Sequence, residues 1–150
     1  MNKLAKKIKA LEAFAENIEA TILSIVADHE ENIVAYVTES QLYMEGVRGS
    51  DGVEIASYDP YHYTTIERKI EKGQPTDRVT LKDTGDFHKS FKVTVDSEKF
   101  AVTAEDWKTD ILTWRYGAGI LALSDESLHS FKEAFLKPEL IKSLRNALNA

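Results

Sequence analysis

The sequence predicts an α+β fold: a long N-terminal helix, a central antiparallel β-hairpin or small sheet, and C-terminal helices packed on it. Three observations carry this. Leu4, Ile8, Leu11, Ala15, Ile18, Ile22 and Ile25 step alternately by four and three, drawing one apolar seam along a helix of about six turns. Phe91, Val93 and Val95, then Phe100, Val102 and Ala104, alternate on either side of Asp96-Ser97-Glu98-Lys99, the pattern of a hairpin with one buried face. Phe131, Phe135, Leu140, Ile141, Leu144 and Leu148 return to helical spacing at the end.

The seam fits either a partner helix or the chain's own core, and three heptads leave both readings open. Ile33, Val34 and Val37 carry the helix on toward Met44, with Asp28-His29-Glu30 marking a bend. Residues 46–60 read as loop, because Gly46, Gly49, Ser50, Asp51 and Gly52 supply turn conformations. Tyr61 to Lys72 predicts a short helix that starts near Thr64 or Thr65 and stops at Gly73, with Pro75 opposing continuation. The hairpin cannot stand alone, so its apolar face must rest on helices or join another sheet.

Trp107 to Tyr116 carries no decisive period, and Gly117-Ala118-Gly119 reads as a flexible break. Ser124 predicts an N-cap, supported by Asp125 and Glu126 and by a staple between Leu123 and Leu128. Pro138 kinks the last run or begins a second helix. The 150 residues make one domain with a helical region at 1–45, a loop, short helix and hairpin at 46–104, and a helical region at 105–150.

Composition narrows the function classes. At 43% hydrophobic and 29% charged residues with three prolines, the chain has the make-up of a folded protein. No apolar run is long enough to cross a bilayer, and glutamates interrupt what would be the apolar core of a signal peptide. The absence of cysteine excludes disulfides, thiolate catalysis and cysteine zinc sites. Net charge is −6; Lys3, Lys6, Lys7 and Lys9 open the chain, and the carboxylates from Glu12 to Glu45 follow without a lysine or arginine among them. No basic stripe with aromatic platforms is visible, which argues against general nucleic-acid binding.

Asp83-Thr84-Gly85 is the tripeptide of aspartic proteases, in which two carboxylates share a proton. A chain of this length would have to dimerise to supply the second, and Lys82 and Asp86 flank the tripeptide where apolar and small residues are expected. The structural reading has Thr84 capping a turn, Gly85 taking a special backbone angle and Phe87 anchoring the core. His29, His62, His88 and His129 lie far apart, so no metal site is expected. His62, between Tyr61 and Tyr63 and near Asp59, is the one cluster with acid–base potential. No nucleophile elbow or phosphate-binding glycine loop occurs, and no cofactor is expected. Trp107, Trp114 and Tyr116 fit a binding surface, although large aromatics near a helix join more often belong to a core.

The order of landmarks resembles the tail-completion, or virion-morphogenesis, proteins of long-tailed phages and prophages. The long N-terminal helix leads to a Gly-acidic-Gly loop, Gly49-Ser50-Asp51-Gly52, and then to Tyr58, Tyr61, Thr64, Thr65 and Lys69. Leu81, Thr84-Gly85, Phe87 and Ser90 follow at the family's spacing, then alternating strands, Tyr116-Gly117 and Ile120-Leu121-Ala122-Leu123-Ser124. The likeness spans about residues 40 to 136 and lies in order and spacing rather than in one motif. It departs at Ala122, where glycine is common, and lacks the Pro-x-Arg element usual before that motif.

The resemblance implies a non-enzymatic structural subunit, with copies in a ring, often sixfold, at the head–tail joint or tail terminus. It makes Leu81, Thr84, Gly85, Phe87 and Ser90 fold-determining. Phe91, Val93, Val95, Phe100, Val102, Trp114 and Tyr116 become the candidate subunit interface, with the hairpin extending a sheet between neighbours. Expected partners are copies of the chain and other phage structural proteins, without specific nucleic-acid or membrane binding. The place is the cytoplasm during assembly and then the virion. Two other readings stand beside it: a bacterial helix-mediated adaptor using the heptad seam, and a dimeric aspartic-type protease using Asp83.

Overall fold

The computed structural model describes residues 2–150. The N-terminal run consists of α1 (Lys3–Glu16), α2 (Ile18–Asp28) and α3 (Glu30–Ala35), and it continues through wider π-helical turns at Tyr36–Glu45. Asn2 caps its start by accepting a hydrogen bond from the Ala5 N–H at 2.7 Å. Two single-residue joints divide it. At Asn17 the side-chain amide donates back to the Ala13 carbonyl at 2.9 Å, the kind of local competition that bends helices. The second joint, His29, falls at the expected bend. Gly46, at φ 66°, ends the run in the left-handed region.

The middle of the chain contains α4 (Tyr63–Glu71), the short α5 (Asp86–Lys89), and the hairpin strands β1 (Phe91–Val95) and β2 (Phe100–Ala104). Gly73, at φ 68°, follows α4 as expected. The strands pair antiparallel with Phe91 opposite Ala104, Val93 opposite Val102 and Val95 opposite Phe100. Asp96 shapes the turn, its carboxylate accepting from the N–H groups of Glu98 and Lys99. The apolar face of the hairpin rests on α2 and α3, and the Val93 N–H on the outer edge of β1 donates to Glu30 at 3.0 Å. A helix therefore covers part of that edge.

The C-terminal region contains α6 (Thr109–Tyr116), α7 (Asp125–Phe131) and α8 (Lys137–Asn149), with π-helical turns at Lys132–Leu136 joining the last two. Ser124 caps α7 through the Ser127 N–H at 3.0 Å, and Pro138, which has no N–H to donate, follows directly on the π-helical turns. The last turns of α8 lie beside the first turns of α1, so the chain's two ends form an antiparallel helix pair.

Two buried clusters make the core. One gathers residues including Val37, Leu42, Ile55, Phe87, Phe91 and Ile120; the other joins Val26, Ile33, Val93 and Phe131. Val34, Val102 and Leu123 pack against both and link them. The heptad seam divides between core and solvent: Ile25 is buried, whereas Leu4, Ile8 and Leu11 remain exposed. The α1–α8 pair therefore leaves the amino-terminal half of the seam uncovered.

Gly117-Ala118-Gly119 is a tight junction and not a flexible break. A Cβ on Gly119 would lie 2.0 Å from the Ser50 hydroxyl oxygen, and one on Gly49 would lie 1.7 Å from the Ala122 carbonyl oxygen. Glycine is required at Gly49, where two backbone segments meet; at Gly119 the obstacle is the Ser50 side chain, which a larger residue would displace.

Candidate functional site

The Thr-Gly corner is built from Thr80 outward. Thr80 is fully buried, and each of its polar groups has a partner: its N–H donates to the Tyr61 hydroxyl at 3.0 Å, its hydroxyl accepts from the Lys82 N–H at 3.2 Å, and its carbonyl pairs with His88 Nε2 at 2.9 Å. These bonds hold Leu81 at φ 57°, a conformation that costs a branched residue free energy unless its surroundings impose it. Thr84 then accepts from the Asp86 N–H at 3.3 Å, and Gly85 turns at φ 94° into α5. Phe87 enters the core edge-on to Phe91, and the Ser90 hydroxyl donates to the Phe87 carbonyl at 2.7 Å. Leu81, Thr84, Gly85, Phe87 and Ser90 thus lie in one corner, and each has a backbone or packing role.

Asp83 at this corner has a lysine for a partner. It forms an ion pair with Lys72, and that pairing holds its carboxyl below the usual carboxylate range. A proton-sharing dyad would raise one member instead. With Phe87 buried behind it, the tripeptide is organised as a turn.

Opposite the corner, α4 presents Lys69 inward. Only 6% of this lysine is exposed, and its Nζ donates to the Lys82 carbonyl at 2.8 Å and to Gln74 Oε1 at 3.3 Å, above the face of Tyr61. The Gln74 amide donates in turn to the Asp83 carbonyl at 3.0 Å. Between α4, the corner and the inner face of α6 lies a cavity of about 320 Å³. Its apolar wall is formed by Tyr61, Val79, Leu81, Phe87, Leu112 and Tyr116. Arg68, Lys69, Lys72, Lys82, Lys108 and Arg115 stand around it, against the carboxylates of Asp59 and Asp83. His62 and Asp59 both line its rim, and no hydrogen bond joins them among the described residues. His88 is held by Thr80, and burial pushes its imidazole below the usual histidine range.

The outer face of α6 is different. Trp107 lies in the turn just before α6, and Ile111 and Trp114 lie on the helix four and seven residues further on; the two tryptophans are 76% and 85% exposed. Of the two readings open for these aromatics, surface holds for the two tryptophans and core for Tyr116. The candidate interface splits accordingly. Phe91, Val93 and Tyr116 are buried in the chain's own core, and Phe100 and Val102 are half-covered by it. Phe91, Val93 and Tyr116 offer no free surface, and the helices below the hairpin cover part of Phe100 and Val102. Val95 and Trp114 are exposed.

Comparison with protein-family models, with curated proteins and with solved structures gave no significant match.

Three further residues position the site without a local sequence signal. Gln41, fully buried, donates to the Ala122 carbonyl at 2.8 Å and accepts from the Ser124 N–H at 2.9 Å. Arg48 pairs with Asp51, stacks on Tyr58 and donates to the Tyr116 carbonyl at the end of α6 at 3.1 Å. Thr80 is the third. Lys69 had no readable sign either, because the apolar residues of α4, Tyr63, Ile66 and Ile70, suggest another side, although Tyr63 and Ile70 are exposed. Among the described residues, no cluster of three or more histidine or acidic side chains is placed to hold a metal, and no helix is long and apolar enough to cross a membrane.

Proposed function

We propose that this chain is a non-enzymatic structural subunit of a phage or prophage neck or tail, joining copies of itself into a ring at the head–tail joint or tail terminus. The observation that carries the proposal is the Trp107–Ile111–Trp114 group. Two exposed tryptophans and an exposed isoleucine within eight residues are costly in water and are typical of the desolvated centre of a protein interface. The family resemblance supplies the location, and the structural roles of Leu81, Thr84, Gly85, Phe87 and Ser90 agree with a fold-determining motif. Because the apolar face of the hairpin is occupied, contact between copies falls to α6, to Val95 and to the outer edge of β2.

Light scattering on Trp114→Lys beside the parent chain tests this. The parent should be oligomeric at tens of micromolar and the variant monomeric, with unchanged circular dichroism. An equal mass for both would remove α6 from the interface.

The adaptor reading keeps one specific observation in its favour, the uncovered Leu4, Ile8 and Leu11 on α1. Replacing Leu4 and Leu11 with lysine leaves the core untouched, so loss of assembly in that variant alone would favour a helix-mediated contact.

A further inference from the structure

The cavity beside the Thr-Gly corner collects cations in a protein whose net charge is −6. Asp83 pairs with Lys72, and Asp59 with Arg115 at 3.5 Å. Arg68, Lys69, Lys82 and Lys108 are left with no carboxylate at ion-pair distance among the described residues. For Lys69 this is unusual, since a buried ammonium normally has a counter-ion. It has two acceptors for three donor hydrogens, a carbonyl and a side-chain amide, and neither carries charge. The four come from three segments that meet at this space, Arg68 and Lys69 from α4, Lys82 from the corner and Lys108 from the turn before α6; the Lys82 ammonium also lies over the Tyr43 ring and that of Lys108 over the Trp107 ring.

We propose that this cavity binds a phosphorylated small molecule with a flat apolar body, the phosphate beside Lys69 and its cationic neighbours, the body against Tyr61, Phe87 and Leu112. Four uncompensated charges match a multiply charged anion better than a single carboxylate. The volume lies at the lower end of the range for small-molecule sites, and the apolar wall gives the body a surface that phosphate alone would not use. The proposal draws on none of Trp107, Ile111 and Trp114, and Lys108 is the lining residue that reaches them, its ammonium 5.6 Å from the centre of the Trp107 ring.

Calorimetric titration with ADP, adenosine and inorganic pyrophosphate, in low-chloride buffer, tests the site. ADP should bind once per chain and more tightly than either of its parts. Arg68→Gln and Lys108→Gln should each weaken ADP by up to about tenfold, and Lys69→Met by at least that much. If Lys69→Met fails to fold, the two surface variants decide the matter alone. Absence of ADP binding at millimolar concentration would overturn the proposal, as would affinity untouched by Arg68→Gln and Lys108→Gln. A short DNA duplex binding more tightly than ADP through the same residues would replace the small ligand with a polymer.

Discussion

Gln41 donates to the Ala122 carbonyl across 2.8 Å, joining residues 81 positions apart in sequence. The same amide accepts from the Ser124 N–H, so one buried side chain satisfies a loop carbonyl and a donor at the start of α7. Gln41→Leu would leave both groups buried and unpaired. Equilibrium urea denaturation should show a loss of about 2–4 kcal/mol. Gln41→Glu at neutral pH should not recover that stability, because it sets a buried carboxylate oxygen against the Ala122 carbonyl.

The glycines of the adjoining loop separate two physical effects. Gly49 meets the Ala122 backbone, whereas a Cβ on Gly52, at φ 69°, would touch nothing. Gly52→Ala should therefore cost only the left-handed backbone penalty, about 1–2 kcal/mol. Gly49→Ala must displace a backbone segment and should cost more. Thermal melts of the two variants check the order, and equal losses would contradict the close approach.

The hairpin, the α4 stop at Gly73, the Ser124 cap and the Thr84-Gly85 turn were legible because each is written within a few residues. Alternation reports the buried side of a strand, and a capping residue acts on the next turn. Helix α6 was not legible because both of its sides are apolar: Ile111 and Trp114 face outward while Leu112 and Tyr116 face inward, which erases the period. Whether a tryptophan is covered depends on distant chain, and so do the partners of Gln41, Arg48 and Lys69. The seam on α1 had the right spacing, but the spacing alone does not tell which part α8 would cover.

The corner's two notable residues predict opposite outcomes. Asp83 lies largely in water and pairs with an exposed lysine, so Asp83→Asn should change stability by less than about 1 kcal/mol. Phe87 is buried against Phe91, and Phe87→Ala should cost about 3–5 kcal/mol. Chemical denaturation of the pair checks this. Peptide cleavage by the parent chain that disappears in Asp83→Asn would instead restore the protease reading.

Acid should weaken the fold through His88. Its imidazole titrates below the ordinary 6.5 when folded, chiefly because burial disfavours the cation. Below pH 6.5 the unfolded chain therefore takes up a proton that the folded chain resists. That contribution to stability is present above pH 6.5 and is lost as pH falls through the folded-state value beneath it. Denaturation midpoints between pH 7.5 and 5 should fall in the parent and fall less steeply in His88→Asn. Parallel slopes would remove His88 as the cause.

Electron microscopy of the concentrated parent chain tests the assembly account most directly. The account predicts closed rings of one uniform copy number that Trp114→Lys abolishes. A field of particles the size of a single chain at every concentration would contradict it.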